Sequence, residues 1–143
     1  MSLRIEILTW QQAQPAATPI RFASFFEKDA RPGVEIDDLD PQCAHALAYD
    51  ESGQAIGTGR LLPDGQIGQL AVAKQWRRRG VGAALLEALI AEARKRGYAD
   101  VTLTAPLQAA EFYRGYGFAA EGKITPLGGI LVQKMRKTLG SGS

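Results

Sequence analysis

Short runs of alternating apolar and polar residues fill the first half of the chain. Residues 3–8 alternate apolar with charged side chains and predict a first strand. Residues 44–49, 55–62 and 66–72 are apolar runs of strand length, and the segments between them carry Asp and Gly, which favour tight turns. The pattern predicts one strand followed by a three-stranded meander.

A weaker helical pattern separates the first strand from the meander. Residues 9–17 predict a short helix that is capped by Thr9 and ended near Pro19, because proline lacks the N–H that a helix interior needs. Residues 20–28 carry phenylalanines at helical spacing, which we interpret mainly as core. Residues 30–41 are acidic and interrupted by proline and glycine, so they predict a loop.

Helical periodicity is clearest over residues 80–96, and Gly97 is suited to end that helix. Its apolar face repeats at positions i, i+4, i+7 and i+8 and consists of Val81, Leu85, Ala88 and Leu89. A strand at 101–104, a helix that begins after Pro106 and runs to about residue 114, and strands from 118 and over 130–137 complete the chain. This order predicts a mixed α/β sheet whose central strands are covered on both faces.

Composition places the chain among ordinary globular proteins. Of its 143 residues, 45% are apolar and 22% are charged, so we expect one domain over residues 1–139. Residues 140–143, Gly-Ser-Gly-Ser, are typical of a flexible tail or an expression scar. The single cysteine, Cys43, excludes an intrachain disulfide, and no Cys/His cluster indicates a metal site.

The net charge of the chain is only +2, which argues against a general nucleic-acid binder. No apolar run approaches the roughly 18 residues of a membrane-spanning helix. Residues 1–8 lack the features of a secretory signal. We therefore expect a cytoplasmic protein without a nucleic-acid or membrane partner.

One basic, glycine-containing turn lies between the strand at 66–72 and the regular helix. It comprises Arg77, Arg78, Arg79, Gly80 and Gly82. Glycines let backbone approach an anion closely, and the N–H groups and dipole of a helix start attract phosphate. A solvated basic loop that merely caps the helix is the alternative, but two glycines favour diphosphate binding. The turn is neither a dinucleotide fingerprint nor a P-loop.

Two spaced motifs resemble signatures of the GNAT superfamily of N-acetyltransferases. The run Arg77-x-x-Gly80-x-Gly82 resembles its acetyl-CoA signature, and Ala109-x-x-Phe112-Tyr113-x-x-x-Gly117-Phe118 resembles its second signature. The resemblance spans roughly residues 44–135. Three further phrases resemble the ElaA-like branch of small bacterial acetyltransferases: Gly57-Thr58-Gly59-Arg60-Leu61, Glu87-Ala88-Leu89 and Met135-Arg136-Lys137.

The resemblance implies a GNAT-like fold with acetyl-CoA as cofactor. Its sheet would be mostly antiparallel with six to seven strands, splayed between the fourth and fifth, and helices on both faces. The turn would cradle the pyrophosphate, and the fourth strand would pair with the pantetheine arm. The implied cofactor-binding residues are Leu70, Ala71, Val72, Arg77, Arg78, Arg79, Gly80, Val81, Gly82, Ala83, Ala109, Phe112 and Tyr113.

The resemblance also implies a direct transfer in which an amine attacks the thioester. Tyr113 would be the catalytic acid that protonates the departing thiolate, with Tyr116 as the fallback. A backbone N–H near Leu70–Val72 would polarise the carbonyl. Without the resemblance, Tyr113 reads as a core tyrosine on an amphipathic helix.

The acceptor side is less specified than the cofactor side. The acidic loop residues Glu35, Asp37, Asp38 and Asp40 could bind a cationic amine or relay its proton, or could simply form a solvated acidic loop. Gln69 could hold a water. Phe26 could wall the acceptor pocket. We interpret His45, the lone histidine, as structural.

Three segments depart from the ElaA-like pattern, all on the acceptor side. Leu131-Val132 follows Gly129-Ile130 where that branch has Pro-His, and Pro106 replaces a Gln or Asn. Residues 27–32 replace a Glu-Gln-rich segment. The branch therefore does not indicate which amine is acetylated.

The main hypothesis is an acetyl-CoA-dependent N-acetyltransferase acting on a small-molecule or peptide amine. A non-catalytic module that senses acyl-CoA is the alternative, and a nucleic-acid-contacting protein that uses the three arginines is a third hypothesis. A homodimer through the last strands is common in the family.

Overall fold

The computed structural model describes residues 2–25 and 37–140. The strands of this part of the chain are β1 (Arg4–Leu8), β2 (Ala44–Tyr49), β3 (Ala55–Leu61), β4 (Ile67–Val72), β5 (Asp100–Pro106), β6 (Ala119–Leu127) and β7 (Ile130–Thr138). The helices are α1 (Trp10–Phe25), α2 (Val81–Lys95) and α3 (Ala110–Arg114). Short 3-10 turns at Asp40–Gln42, Lys74–Trp76 and Leu107–Ala109 precede β2, α2 and α3.

The strands form two sheets that diverge at β4 and β5. The first sheet has the order β1-β2-β3-β4 and the second β5-β7-β6, and all of these pairings are antiparallel. A parallel bridge between Gln66 and Thr102 joins the sheets, and the Thr102 N–H donates to the Gly65 carbonyl at 3.1 Å. The expected mixed α/β fold, with its splay between the fourth and fifth strands, is confirmed.

The two faces of β2 carry two separate cores. Ala46 and Ala48 pack in the larger cluster, which includes Leu85 and Leu89 of α2. Leu47, which points to the opposite face, packs instead with Ala13 and Ala17 of α1. Because successive side chains of a strand point to opposite faces, this alternation places α1 and α2 on opposite sides of the first sheet, as predicted.

Helix α1 differs from the prediction of two separate helical segments. It runs unbroken from Trp10 to Phe25 and contains both Pro15 and Pro19. Its start is as predicted: the Gln12 N–H donates to Thr9 Oγ1 at 3.3 Å, and Gln12 Oε1 accepts from the Thr9 N–H at 3.0 Å.

Burial explains why α1 continues through its prolines. Ala13, Ala17 and Arg21 recur every four residues and are fully buried on one face. This packing offsets the hydrogen bonds that the prolines cannot make, which a local proline rule does not weigh. The rest of the predicted 20–28 segment, residues 26–28, lies outside the described residues.

Two glycines of β3 let α2 approach the sheet closely. A Cβ at Gly57 would lie 2.9 Å from Leu85 Cδ1 and 3.0 Å from Val81 Cγ1. A Cβ at Gly59 would lie 2.6 Å from Leu70 Cδ2 and 3.0 Å from Leu89 Cδ1. These contacts fix the height of α2 above the sheet and therefore the position of its N-terminus next to β4.

The C-terminal elements differ in length from the prediction. β5 is longer than the predicted 101–104, and β6 runs on to Leu127 through Pro126, which an edge strand tolerates. An irregularity between Glu121 and Thr125 shifts the register of β6 on β7. Gln133 Nε2 donates to the Glu121 and Gly122 carbonyls there, at 3.0 and 3.1 Å.

Within the described part of the chain, no helix is long and apolar enough to cross a membrane.

Candidate active site

A cavity of about 220 Å³ lies in the slot between β4 and β5. Its wall is largely aliphatic, with a few polar side chains from β3, β4, β5 and α3. The described residues that line it are Arg60, Leu62, Gln66, Ile67, Gly68, Gln69, Leu70, Leu103, Thr104, Pro106, Tyr113, Leu127, Ile130 and Val132. A ligand in this slot would therefore lie between the two sheets, against a mainly aliphatic wall.

A β-bulge in β4 forms part of the cavity wall. Thr58 pairs with Ala71 and Arg60 with Gly68, so two residues of β4, Gln69 and Leu70, lie opposite one residue of β3. Gln69 has a φ of +52°, which is uncommon for a residue other than glycine. A bulge interrupts the ladder of backbone hydrogen bonds, and both bulge residues, Gln69 and Leu70, line the cavity.

Sequence reasoning missed this bulge. The strand over residues 66–72 was predicted as a regular member of the meander. The signal that could have indicated it is Gly68, because a glycine inside a strand often marks a bulge or a close backbone approach. A Cβ at Gly68 would have no atom within 4 Å, so packing within the chain does not account for this glycine.

Tyr113 enters the cavity wall from α3. Its side chain is buried, and its ring packs edge-on against Phe118 and Phe112, with ring centroids 6.0 and 5.2 Å apart. Tyr116, the fallback acid, packs against Phe112 at 5.1 Å and does not line the cavity. Of the two tyrosines, only Tyr113 is placed to reach a ligand there.

The basic turn follows β4 and leads into α2. Gly80 is the N-cap of α2 and has a φ of +83°, a backbone conformation that favours glycine. This conformation is a second reason for a glycine at this position, and the sequence interpretation did not include it. Arg77 Nε donates to the Val72 carbonyl at 3.0 Å and ties the turn to β4. The Arg79 guanidinium lies 5.5 Å from the centroid of the Trp76 ring.

The start of α2 has the properties of a phosphate-binding site. The N–H groups of a first helical turn have no partner within the helix, and Gly80 has no side chain to cap them. A Cβ at Gly82 would touch only Val72 Cγ2, at 4.0 Å, so the chain itself leaves the space beside this glycine open. The predicted cofactor residues Ala71 and Val72 end β4, and a 3-10 turn at Lys74–Trp76 connects the strand to the basic turn.

Asp37, predicted to bind the acceptor, is engaged by an arginine. Arg60 donates to both of its carboxylate oxygens, Nη1 to Oδ1 at 2.7 Å and Nη2 to Oδ2 at 2.9 Å. The hydrogen bonds from Arg60 hold the pKa of Asp37 below its ordinary value. Asp37 does not line the cavity, so this residue serves first to hold Arg60.

Asp40 extends this ion pair into a buried network. It accepts from Arg21 Nη1 and Nη2 at 2.8 and 3.0 Å, and from Arg60 Nη1 at 2.9 Å. Burial would raise the pKa of Asp40, but the hydrogen bonds from Arg21 and Arg60 outweigh it and hold the pKa below its ordinary value. The prediction treated Asp40 as part of a solvated or acceptor-binding loop, which its complete burial contradicts.

Sequence reasoning missed the roles of Arg21 and Arg60. Each was an isolated charge within an apolar segment, and such a charge needs a buried partner when the segment is core. Arg21 and Arg60 lie 19 and 20 residues from their shared partner Asp40 in the sequence, so no local pattern could pair them with it.

His45 and Cys43 lie beside this network and away from the cavity. His45 Nε2 donates to the Asp40 carbonyl at 2.9 Å, and its ring packs on Trp10 with centroids 4.8 Å apart. Burial lowers the pKa of His45 and raises the pKa of the Cys43 thiol, whose Sγ donates to the Leu39 carbonyl at 3.2 Å. A neutral imidazole and a protonated thiol in these contacts agree with structural roles.

The remaining predicted residues fall into two groups. Ala109 is half-buried at the start of α3 and Phe112 is exposed on it, next to Tyr113. Phe26 and Glu35, predicted for the acceptor, lie outside the described residues. The cavity therefore brings together Gln69, Leu70 and Tyr113 from the predicted set, and it adds Arg60.

Comparisons with known proteins agree with this geometry. The model of the family described as "Acetyltransferase (GNAT) domain" matches residues 15–139. A candidate acetyltransferase of Bacillus subtilis is 30% identical over 135 residues, which are 90% of this chain and 91% of that protein.

Solved structures extend the similarity to the whole fold. An acyl-CoA N-acyltransferase from Pseudomonas aeruginosa superposes with a TM-score of 0.84 and 25% identity, over 96% of this chain and all of that one. ElaA of Escherichia coli superposes with a TM-score of 0.82 and 20% identity, over 95% of this chain and 99% of that one. A family match across most of the chain, on a fold with a slot between β4 and β5, leads to one conclusion: the chain belongs to the GNAT acetyltransferase family.

Proposed function

We propose that this protein is an acetyl-CoA-dependent N-acetyltransferase that acts on a primary amine. The observation that carries the proposal is the cavity between β4 and β5, where a bulged strand and Tyr113 line one slot. Acetyl-CoA would supply an acetyl thioester, which the amine attacks as the thiol departs.

The start of α2 would hold the pyrophosphate of the cofactor. Its support is the open space beside Gly82, the uncapped first turn, and the arginines at 77–79, which add positive charge to a helix terminus. A GNAT acetyltransferase from Elizabethkingia anophelis with acetyl-CoA bound shares the fold, with a TM-score of 0.72 and 18% identity over 96% of this chain and 98% of that one. The proposal that the start of α2 holds the pyrophosphate rests on the basic turn of this chain and not on that similarity.

Tyr113 and the bulge would act on the reacting groups within the slot. A phenol is protonated at neutral pH, so the Tyr113 hydroxyl can give its proton to a thiolate as that forms. A backbone N–H near Leu70–Val72, re-aimed by the bulge at Gln69, would polarise the acetyl carbonyl. The Tyr113 side chain is buried and packs against Phe112 and Phe118, which favours a fixed position for its hydroxyl.

A second candidate function is acyl-CoA binding without transfer. One observation favours it: among the described residues that line the cavity, none carries a carboxylate or an imidazole that could accept the proton of the amine. The two candidate functions differ in whether an added amine causes bound acetyl-CoA to release its thiol.

Thiol release distinguishes them. The protein is mixed with acetyl-CoA and a panel of primary amines, and free thiol is followed with a chromogenic disulfide. Transferase activity predicts thiol release that depends on the amine and saturates with it. Tight binding of acetyl-CoA with no thiol release for any amine would contradict the proposal and support the binding module.

A further inference from the structure

We propose that Gly68 is a specificity-determining residue, and that the open space beside it takes the aliphatic body of a primary amine acceptor that carries no second charge. The inference deepens the proposed function and rests on it. The transfer itself is the one already proposed: the amine nitrogen bonds to the acetyl carbon, the carbon–sulfur bond breaks, and the amine loses a proton while the thiolate gains one. The inference adds the class of amine.

No contact within the described part of the chain requires a glycine at position 68. A Cβ there would meet no atom within 4 Å, whereas a Cβ at Gly57 or Gly59 of the neighbouring strand would lie 2.9 or 2.6 Å from a leucine side chain. Backbone conformation does not require the glycine either, because the bulge residue with a positive φ is Gln69 and not Gly68. Gly68 lines the cavity. A strand glycine that neither packing nor conformation explains indicates a place where a ligand approaches the backbone.

Gly68 lies beyond the thioester end of the proposed cofactor. The pyrophosphate would lie at the start of α2, and the pantetheine arm would run back along β4 from Val72 toward Leu70. Of the residues implied for the cofactor, only Leu70 and Tyr113 line the cavity. The cavity continues along β4 past Leu70 to Gly68 and Gln66. This part of the cavity is therefore left for the acceptor.

Aliphatic side chains form most of the cavity wall. Leu127 lies on the edge strand β6 and is 47% exposed, so the described chain covers only about half of it. An aliphatic chain that covers such residues removes apolar surface from water, which favours binding by about fourfold for each methylene. The aliphatic residues of the wall, besides Ile67 and Leu70 of β4, are Leu62, Leu103, Leu127, Ile130 and Val132.

The same wall offers no partner to a second ammonium group. Among the described residues that line the cavity, Arg60 is the only charged one, and its charge has the same sign as an ammonium. The carboxylates that accept hydrogen bonds from Arg60, those of Asp37 and Asp40, do not line the cavity. A second ammonium would therefore lose part of its water without gaining a counter-ion. These contacts favour an aliphatic monoamine over a diamine or polyamine.

A pair of amines of equal length tests the charge requirement in the wild type alone. Pentylamine and 1,4-diaminobutane differ in that an ammonium replaces the terminal methyl group. At saturating acetyl-CoA, we expect kcat/KM for pentylamine to be at least about tenfold higher than for 1,4-diaminobutane. Equal values, or transfer only to amines outside the aliphatic monoamines, would overturn the inference and leave the proposed function intact.

A substitution at position 68 tests the open space. In the wild type, the three additional methylenes of pentylamine should raise kcat/KM about fiftyfold over ethylamine. Valine suits a strand and would fill the space, so we expect Gly68→Val to lower kcat/KM for pentylamine about tenfold or more and to change that for ethylamine less than about threefold. Ala119→Val, at an exposed position of β6 outside the cavity wall, is the matched control and should leave both values unchanged.

An equal loss on both amines in Gly68→Val would overturn the inference, because it would assign Gly68 a purely structural role. No loss on pentylamine would overturn it as well, because the body of the amine would then lie elsewhere. Hexanoyl-CoA with ethylamine tests the other occupant of the space, a longer acyl chain. Faster transfer of hexanoyl than of acetyl by the wild type, lost in Gly68→Val, would assign the space to the acyl group and overturn the inference. The proposed function fails only if the wild type acetylates no amine.

Discussion

Arg60 and Asp37 form a two-point ion pair, with Nη1 2.7 Å from Oδ1 and Nη2 2.9 Å from Oδ2. This pair joins β3 to the residues that lead into β2, at one wall of the cavity. Through Asp40, the same network reaches Arg21 on α1. An acidic loop that the sequence suggested for amine binding is thus used, in its described part, to hold the arginine that lines the cavity.

Breaking this network at Asp40 is expected to destabilise the fold strongly. Asp40→Asn leaves Arg21 and Arg60 buried with too little negative charge, which costs about 3–5 kcal/mol. Asp38→Asn, two residues away and exposed, is the control and should change the free energy of unfolding by less than about 0.5 kcal/mol. Urea denaturation at pH 7 measures both, and equal stability of the two variants would show that the network contributes nothing.

The same carboxylate predicts a sensitivity to acid. The pKa of Asp40 is lower in the folded protein than its ordinary value, because hydrogen bonds from the two arginines outweigh burial. The stabilisation is therefore complete above the unfolded pKa of about 3.9 and is lost as pH falls through the lower folded value. We expect the urea midpoint of the wild type to fall steeply below about pH 4, and that of Asp40→Asn to fall less. Parallel curves would contradict this assignment.

Sequence predicted the elements whose signals are local and repeated. α2 has an unbroken apolar face and a glycine at each end, and its bounds were predicted to within about one residue. β2, β3 and β4 are short apolar runs between turn residues and were also predicted. The two sequence motifs indicated the family, and the resemblance to that family predicted the splay between β4 and β5.

Features that depend on distant contacts could not be predicted. α1 continues through Pro19 because its buried face packs on the sheet, and a proline rule does not include that energy. The bulge at Gln69 depends on how β4 pairs with β3. Arg60 pairs with carboxylates that no short-range pattern brings near it, so its place in the cavity wall was visible only in three dimensions.

Close packing of α2 on β3 should make Gly57 intolerant of a side chain. Gly57→Ala would place a Cβ 2.9 Å from Leu85 Cδ1 and 3.0 Å from Val81 Cγ1, and such overpacking typically costs about 1–3 kcal/mol. Gly68→Ala is a matched control in the neighbouring strand, since its Cβ would meet no atom within 4 Å. Thermal unfolding should lower the Tm of the first variant and leave the second close to wild type. A similar Tm for both would show that the helix adjusts freely.

Loss of the Tyr113 hydroxyl should affect turnover more than cofactor binding. Tyr113→Phe keeps the ring that packs against Phe112 and Phe118, so the fold is retained. Loss of a general acid lowers kcat by about 10²–10⁴-fold, while the Kd for acetyl-CoA should stay within about threefold of wild type. Tyr116→Phe, outside the cavity, is the control and should keep near wild-type kcat. If Tyr113→Phe turns over like the control, another group supplies the proton.

The most direct measurement is calorimetric titration of acetyl-CoA into wild type, Gly82→Asp and Gly82→Asn. Asp in the first turn of α2 favours the helix but repels a pyrophosphate, whereas Asn fills the same space without charge. We expect micromolar binding by wild type, a loss of about a hundredfold or more with Asp, and a distinctly smaller loss with Asn. No binding by wild type, or equal binding by all three proteins, would contradict the claim that this helix start holds the cofactor.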